Sequence, residues 1–136
     1  MKNRSKSREI AFKILFAVDR GNSNIPDALS LFQYESPVVL DYSLQLVDGT
    51  LKHTKEIDSL IDKNLKNWDF ERISVPDKEI LRLALFEISY TGIDKGVVVY
   101  EAVELAKKYG TEKSPNFVNG ILREILRRVK DESKKA

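Results

Sequence analysis

Apolar residues recur at intervals of three and four along almost the whole chain, and that spacing leaves room for helices and little else. From Arg8 the positions Ala11, Leu15 and Val18 fall at i, i+4 and i+7, with Phe12 and Ile14 widening the stripe. Gly21 closes this segment as a C-terminal cap. Ala28, Leu29 and Phe32 mark a short second helix opened by Asn24 and Pro26. Ser36-Pro37 reads as an N-cap followed by proline in the first turn, with Leu40, Leu44, Val47 and Leu51 behind it. Ile57, Leu60, Ile61 and Leu65 continue the pattern, either as the same helix bent near Gly49 or as a new one.

Periodicity lapses over 67–75, a natural junction. Ser74-Val75-Pro76-Asp77 then starts a helix: the serine caps, proline is tolerated in the first turn, and an acid three residues after the serine completes a capping-box pattern. Ile80, Leu81, Ala84, Leu85 and Ile88 form its stripe, and Thr91-Gly92 end it. Val97-Val98-Val99-Tyr100 is the one strand-like run. Val99, Ala102, Val103 and Ala106 carry it on at helical spacing, and a lone strand would have no partner, so the run is predicted helical. Gly110 ends that segment. Ser114-Pro115 opens the last, whose stripe is Val118, Ile121, Leu122, Ile125 and Val129. The predicted class is all-α, with six or seven helices and no internal repeat.

A chain of 136 residues suits one domain with a core of its own. Cysteine is absent, which excludes disulfides, thiolate-bound metals, iron–sulfur clusters and a cysteine nucleophile. No apolar run approaches the roughly 18 residues of a membrane span, and no signal-peptide cleavage pattern follows the basic N-terminus, so a soluble cytoplasmic protein is expected. The single histidine, His53, has no nucleophile near it in sequence and reads as solvated surface. The glycines form no phosphate loop, Glu101 and Glu104 read as an exposed helix face, and the Glu-x-x-His pairs of helical metal sites are missing. Neither enzyme activity, cofactor nor metal is expected.

Charge points to binding instead. The net charge is +2, but residues 1–20 carry +4 and residues 107–136 carry +5, while residues 21–49 carry −4 without a single Lys or Arg. Lys2, Arg4, Lys6 and Arg8 place a cation at every second residue, predicting an extended arm along phosphates that Lys13 continues. Lys107, Lys108, Tyr109, Lys113, Asn116 and Phe117 gather at a helix–loop–helix corner. There the free N–H groups of a helix start favour an anion, and the aromatics offer a stacking surface for unpaired bases. Packing of Tyr109 and Phe117 into the core is the alternative.

Two stretches carry a resemblance. Residues 72–88, RISVPDKEILRLALFEI, and residues 100–122, YEAVELAKKYGTEKS followed by FVNGIL, resemble the signatures of the bacterial NusB transcription antitermination factors. The basic arm with Ala11 and Leu15-Phe16 is similar to that family's N-terminus. Tyr100 stands where members usually have asparagine, and Asp94 to Gly96 where they usually have proline. The resemblance implies a compact bundle in two helical subdomains, about 1–70 and 71–136. It also implies a non-enzymatic protein that binds boxA RNA together with the small-subunit ribosomal protein NusE. Loaded onto RNA polymerase with other Nus factors, the pair would suppress termination in ribosomal RNA operons. Carried over by position, Arg4, Lys6 and Arg8 are implied as RNA backbone contacts, and Phe16, Lys113 and Phe117 as residues along the RNA path. Phe16 has a core reading as well. Asp77 and Glu87 are implied as the face for the basic ribosomal protein, with helix capping an equal account of Asp77 and with Arg82 a lesser candidate that would pair with either acid. Gly120 reads as a close helix crossing. Two rivals stay open: the RNA-recognition module of a ribosomal RNA cytosine methyltransferase, which needs a longer chain with catalytic cysteines, and a helical adaptor that binds only proteins.

Overall fold

The arm that the cation spacing predicted as extended is helical from its second residue: Lys2–Asp19 form α1. This computed structural model describes residues 2–66 and 69–135, apart from the side chains of Lys2 and residues 131–135; the predicted arm cation Lys2 and the junction residues 67 and 68 therefore lie outside it in whole or part. After α1 come α2 (Ile25–Ser30), α3 (Pro37–Lys52), α4 (Thr54–Lys63), a 3-10 turn (Phe70–Arg72), α5 (Val75–Tyr90), α6 (Lys95–Tyr109) and α7 (Ser114–Lys135). The described residues contain no strand, and none of their helices is long and apolar enough to cross a membrane.

Local chemistry sets most of these boundaries. Gly21 takes φ +73°, donates to the Val18 carbonyl and lets Asn22 donate to that of Ala17, so two orphan carbonyls of α1 are satisfied at a residue without a Cβ penalty. Asn24, Ser36, Ser74 and Asp94 each accept from the backbone N–H three residues on, at 2.9–3.4 Å. The capping box at Ser74 is only half formed, because Asp77 Oδ1 is buried without a hydrogen-bond partner. At the last corner Lys113, not Ser114, holds the cap position: its carbonyl accepts from Phe117 N–H, while Ser114 turns inward to accept from Thr111 N–H at 2.9 Å.

α5 runs through the middle, packed against α1, α3, α4, α6 and α7. Leu15, Leu46, Ile61, Leu81, Leu85 and Leu122 come from both sides of the 67–75 junction and share one buried core. α3 does not bend at Gly49. It continues to Lys52, and the break falls at His53, the residue shared by the end of α3 and the start of α4. Gly49 is where the Phe86 ring of α5 presses onto α3, and a Cβ there would fall inside that ring. His53 is not solvated surface either: it stacks on Tyr90 with ring centroids 4.0 Å apart.

Arg82 pairs with neither Asp77 nor Glu87. It grips Asp58 with two bonds of 2.7 Å, and Glu79 (3.1 Å) and Asp19 (3.7 Å) crowd the same guanidinium. Three carboxylates around one cation leave an excess of negative charge, and Glu79 is the most buried of them. Burial pushes its carboxyl up to about 8, hydrogen bonding to Asp19 adds to the shift, and Arg82 opposes it. A folded-state value above the unfolded one gives stability that is complete below about 4.5 and is lost as pH rises towards 8. The urea midpoint should therefore fall between pH 5 and 8, and Glu79→Gln should flatten that fall; an unchanged slope in the variant would show that Glu79 is ionised throughout.

Candidate nucleic-acid interface

Side chains of α1 and α6 meet and build the first part of a groove. Lys108 donates to Glu9 at 2.6 Å, and the rings of Phe12 and Tyr109 sit 5.0 Å apart. Lys13 Nζ reaches to 5.9 Å from the Tyr109 ring and 5.8 Å from Phe32. Phe12, Lys13, Phe16, Pro76 and Tyr109 line a hollow of about 330 Å³. Beyond Pro76 a second hollow of about 210 Å³ opens between the start of α5 and the α6–α7 corner, bounded by Arg72, Asp77, Thr111, Lys113 and Phe117. Phe117 also walls a third, of about 400 Å³, between the end of α4 and α7. The second and third hollows share Phe117, and the first and second are lined by the consecutive residues Pro76 and Asp77, so the three follow one another from α1 to α7.

Charge along this track is unevenly committed. Burial works against ionisation of Glu9, yet the Lys108 hydrogen bond and charge more than offset it and hold the carboxyl below its ordinary range; the same bond raises Lys108. Lys107 pairs with Glu104. Among the described residues, Lys13 and Lys113 have no carboxylate within ion-pair distance, so their charge faces solvent at the rim. Gly110 is needed at the corner, because a Cβ there would collide with the inward-turned Ser114.

The helical form of the arm redirects its cations. Each residue turns about 100°, so positions two apart project to nearly opposite sides. Arg4 lies over the Tyr42 ring at 4.1 Å on the α3 side, and Lys6 is exposed. Arg8 points inward and is only 2% exposed; its Nε donates to Glu87 Oε1 at 2.7 Å, and Nη1 lies 3.5 Å from Glu101. Glu101, read as exposed surface, also accepts from Ser5. Glu87 is 1% exposed and accepts from the Tyr42 hydroxyl at 2.7 Å; burial and that bond push the tyrosine up to about 12. Arg8 and Glu87, assigned from sequence to two different ligands, are thus each other's partner in the interior.

The NusB family model matches residues 5–127. The chain belongs to the NusB family. It is 44% identical over 125 residues to the transcription antitermination protein NusB of Wolinella succinogenes, covering 90% of this chain and 93% of that one. To the NusB of a Nitratiruptor species it is 40% identical over 139 residues, covering all of both. These are antitermination factors rather than enzymes. A solved structure of antitermination factors NusB and NusE in complex with dsRNA superposes with a TM-score of 0.85 at 30% identity, over 94% of this chain and 98% of that one.

In this NusB chain the groove gathers Phe16, Asp77, Lys113 and Phe117 from four separate segments. Phe16 and Phe117 are half-buried, Lys113 is exposed, and Asp77 is 8% exposed. Arg4 and Lys6 leave on other sides of α1, and Arg8 and Glu87 are inside. Arg72 and Lys66 also border the track; Arg72 lies within the 67–75 lapse and Lys66 just before it, so helical spacing gives neither a direction. Gly120 is not a close crossing: it is exposed, and a Cβ added to it would meet nothing within 4 Å.

Proposed function

We propose that this NusB protein binds single-stranded boxA RNA along the groove from Phe16 to Phe117, as a heterodimer with NusE, and joins RNA polymerase and other Nus factors to suppress termination in ribosomal RNA operons. The observation that carries this reading is the groove itself, in which aromatic rings and cations stand together: Lys13, Phe16 and Tyr109, then Lys113 and Phe117. Aromatics accept unpaired bases without demanding a sequence, and the lysines neutralise phosphates. The RNA complex of the related NusB and NusE supports both partners. Within this reading Lys113, Phe16 and Phe117 touch RNA, Arg4 and Lys6 meet backbone that leaves the groove past the start of α1, and Arg8 supports the fold beneath. Asp77, at the start of α5 and 8% exposed, is assigned to the basic ribosomal protein; Glu87 acts only through Arg8 and Tyr42.

Fluorescence anisotropy tests the proposal. Labelled boxA RNA, a scrambled strand and a duplex of the same sequence are titrated with the protein alone and with its cognate NusE. Tightest binding is expected for single-stranded boxA with NusE present. Equal, weak and salt-sensitive binding to all three RNAs under both conditions would leave a nonspecific basic protein and withdraw the antitermination role.

A further inference from the structure

Gly120 is a residue whose presence the fold does not explain. It stands in the interior of α7, where glycine weakens a helix relative to alanine. Gly49 occupies a similar position in α3, but the Phe86 ring fills the space a side chain would need. At Gly120 no atom of the chain uses that space. What the glycine does is keep the floor of the third hollow flat. Phe117 forms one wall, Asn64 and Asn116 bring amides, and Lys66 stands at the rim. Glu124, which also lines it, is occupied by Arg127 and Arg128 at 2.8 and 2.9 Å.

We propose that this hollow takes one unpaired nucleotide of the bound RNA, its base laid across α7 at Gly120 beside Phe117 and its phosphate towards Lys66. The inference rests on the RNA reading above and extends it by one site. RNA is the occupant because the hollow shares Phe117 with the hollow at Lys113, so a strand held at Lys113 has this hollow as its neighbour. A base is planar and gains most from close approach, and a methyl group at position 120 would hold it off the helix. Asn64 Nδ2 donates to the Leu60 carbonyl, which leaves its unpartnered Oδ1 as an acceptor, and the exposed Asn116 amide adds a donor and an acceptor for a base edge. Glu124 is outnumbered by Arg127, Arg128 and Lys66; hydrogen bonds from the two arginines, with the charge of Arg127 and Lys66, lower its carboxyl, so this rim is cationic overall and suits a phosphate.

The test separates this role from a structural one because the two predict opposite signs. Gly120→Ala and Gly120→Leu are compared with the unmodified chain by thermal melting and by anisotropy with labelled single-stranded boxA RNA. Both variants are expected to melt at the same or a higher temperature, because no atom is displaced and the helix improves. RNA binding is expected to weaken about fivefold for alanine and more than tenfold for leucine, the scale of a partly or wholly lost base contact. Shortening the RNA from one end should reach a length at which the three proteins bind alike, which identifies the nucleotide. Equal binding of the full-length RNA by all three overturns the proposal, and so does a lower melting temperature in Gly120→Ala, which would make the glycine a packing residue. Variants that bind RNA alone normally but lose the enhancement by NusE would give the hollow to the protein partner instead. Failure of the unmodified chain to bind RNA would remove the RNA reading itself, and this site with it.

Discussion

Arg8→Ala should cost the fold about 3–5 kcal/mol, enough to leave much of the protein unfolded at moderate temperature. The guanidinium is buried, and its removal strands the Glu87 carboxylate, itself 1% exposed, with a hydrogen bond from the neutral Tyr42 hydroxyl but without its countercharge. The cost is mostly that of an uncompensated charge rather than of a lost attraction. The double variant Arg8→Met, Glu87→Met should therefore be far more stable than the two single losses added together. Urea denaturation across the four proteins of this cycle measures the coupling. Additive losses would mean that Arg8 and Glu87 do not meet, contrary to the 2.7 Å bond. The same experiment bears on function: loss of RNA binding in Arg8→Ala should track the unfolded fraction, whereas Arg4→Ala and Lys6→Ala should leave the fold intact.

The second large effect concerns the groove. Replacing Phe16 and Phe117 together by alanine should lower affinity for single-stranded boxA RNA by about a hundredfold, since each stacked base contributes about 1–3 kcal/mol. Both rings also pack against the core, so melting temperatures will fall, and binding is measured well below them with helix content confirmed by circular dichroism. The salt dependence distinguishes stacking from charge. It should stay unchanged in the aromatic variant, whereas Lys13→Ala and Lys113→Ala should each reduce the logarithmic slope by about 0.7, the value for one phosphate of a single strand. Unaltered affinity in the aromatic pair would move the RNA off this groove altogether.

Helix positions and their ends were legible in the sequence because they depend on neighbours three and four residues away. Gly21, Asn24, Ser36 and Ser74 act within one turn, and their roles follow from residue type and spacing. The inward direction of Arg8 was legible too: with Ala11 and Leu15 it lies at i, i+3 and i+7 on the buried stripe. Glu87 stands in the same relation to Ile80, Leu83 and Ala84. A cation or carboxylate on such a stripe is bound inward, a signal that the alternating charges of the arm obscured.

Only the tertiary structure decided which groups meet. Arg8 finds Glu87 across 79 positions of sequence, and Arg82 takes Asp58 and Asp19 from other segments together with Glu79, and neither Asp77 nor Glu87. Gly49 and Gly120 look alike in sequence, each within a helical run, yet one lies under an aromatic ring and the other under open solvent. The groove draws Phe16, Asp77, Lys113 and Phe117 from α1, α5, the α6–α7 corner and α7. Periodicity states which face of a helix is buried, but not the angle and offset at which that face crosses another; those are set by how the side chains of both helices interdigitate, and they alone determine which distant residues share a surface.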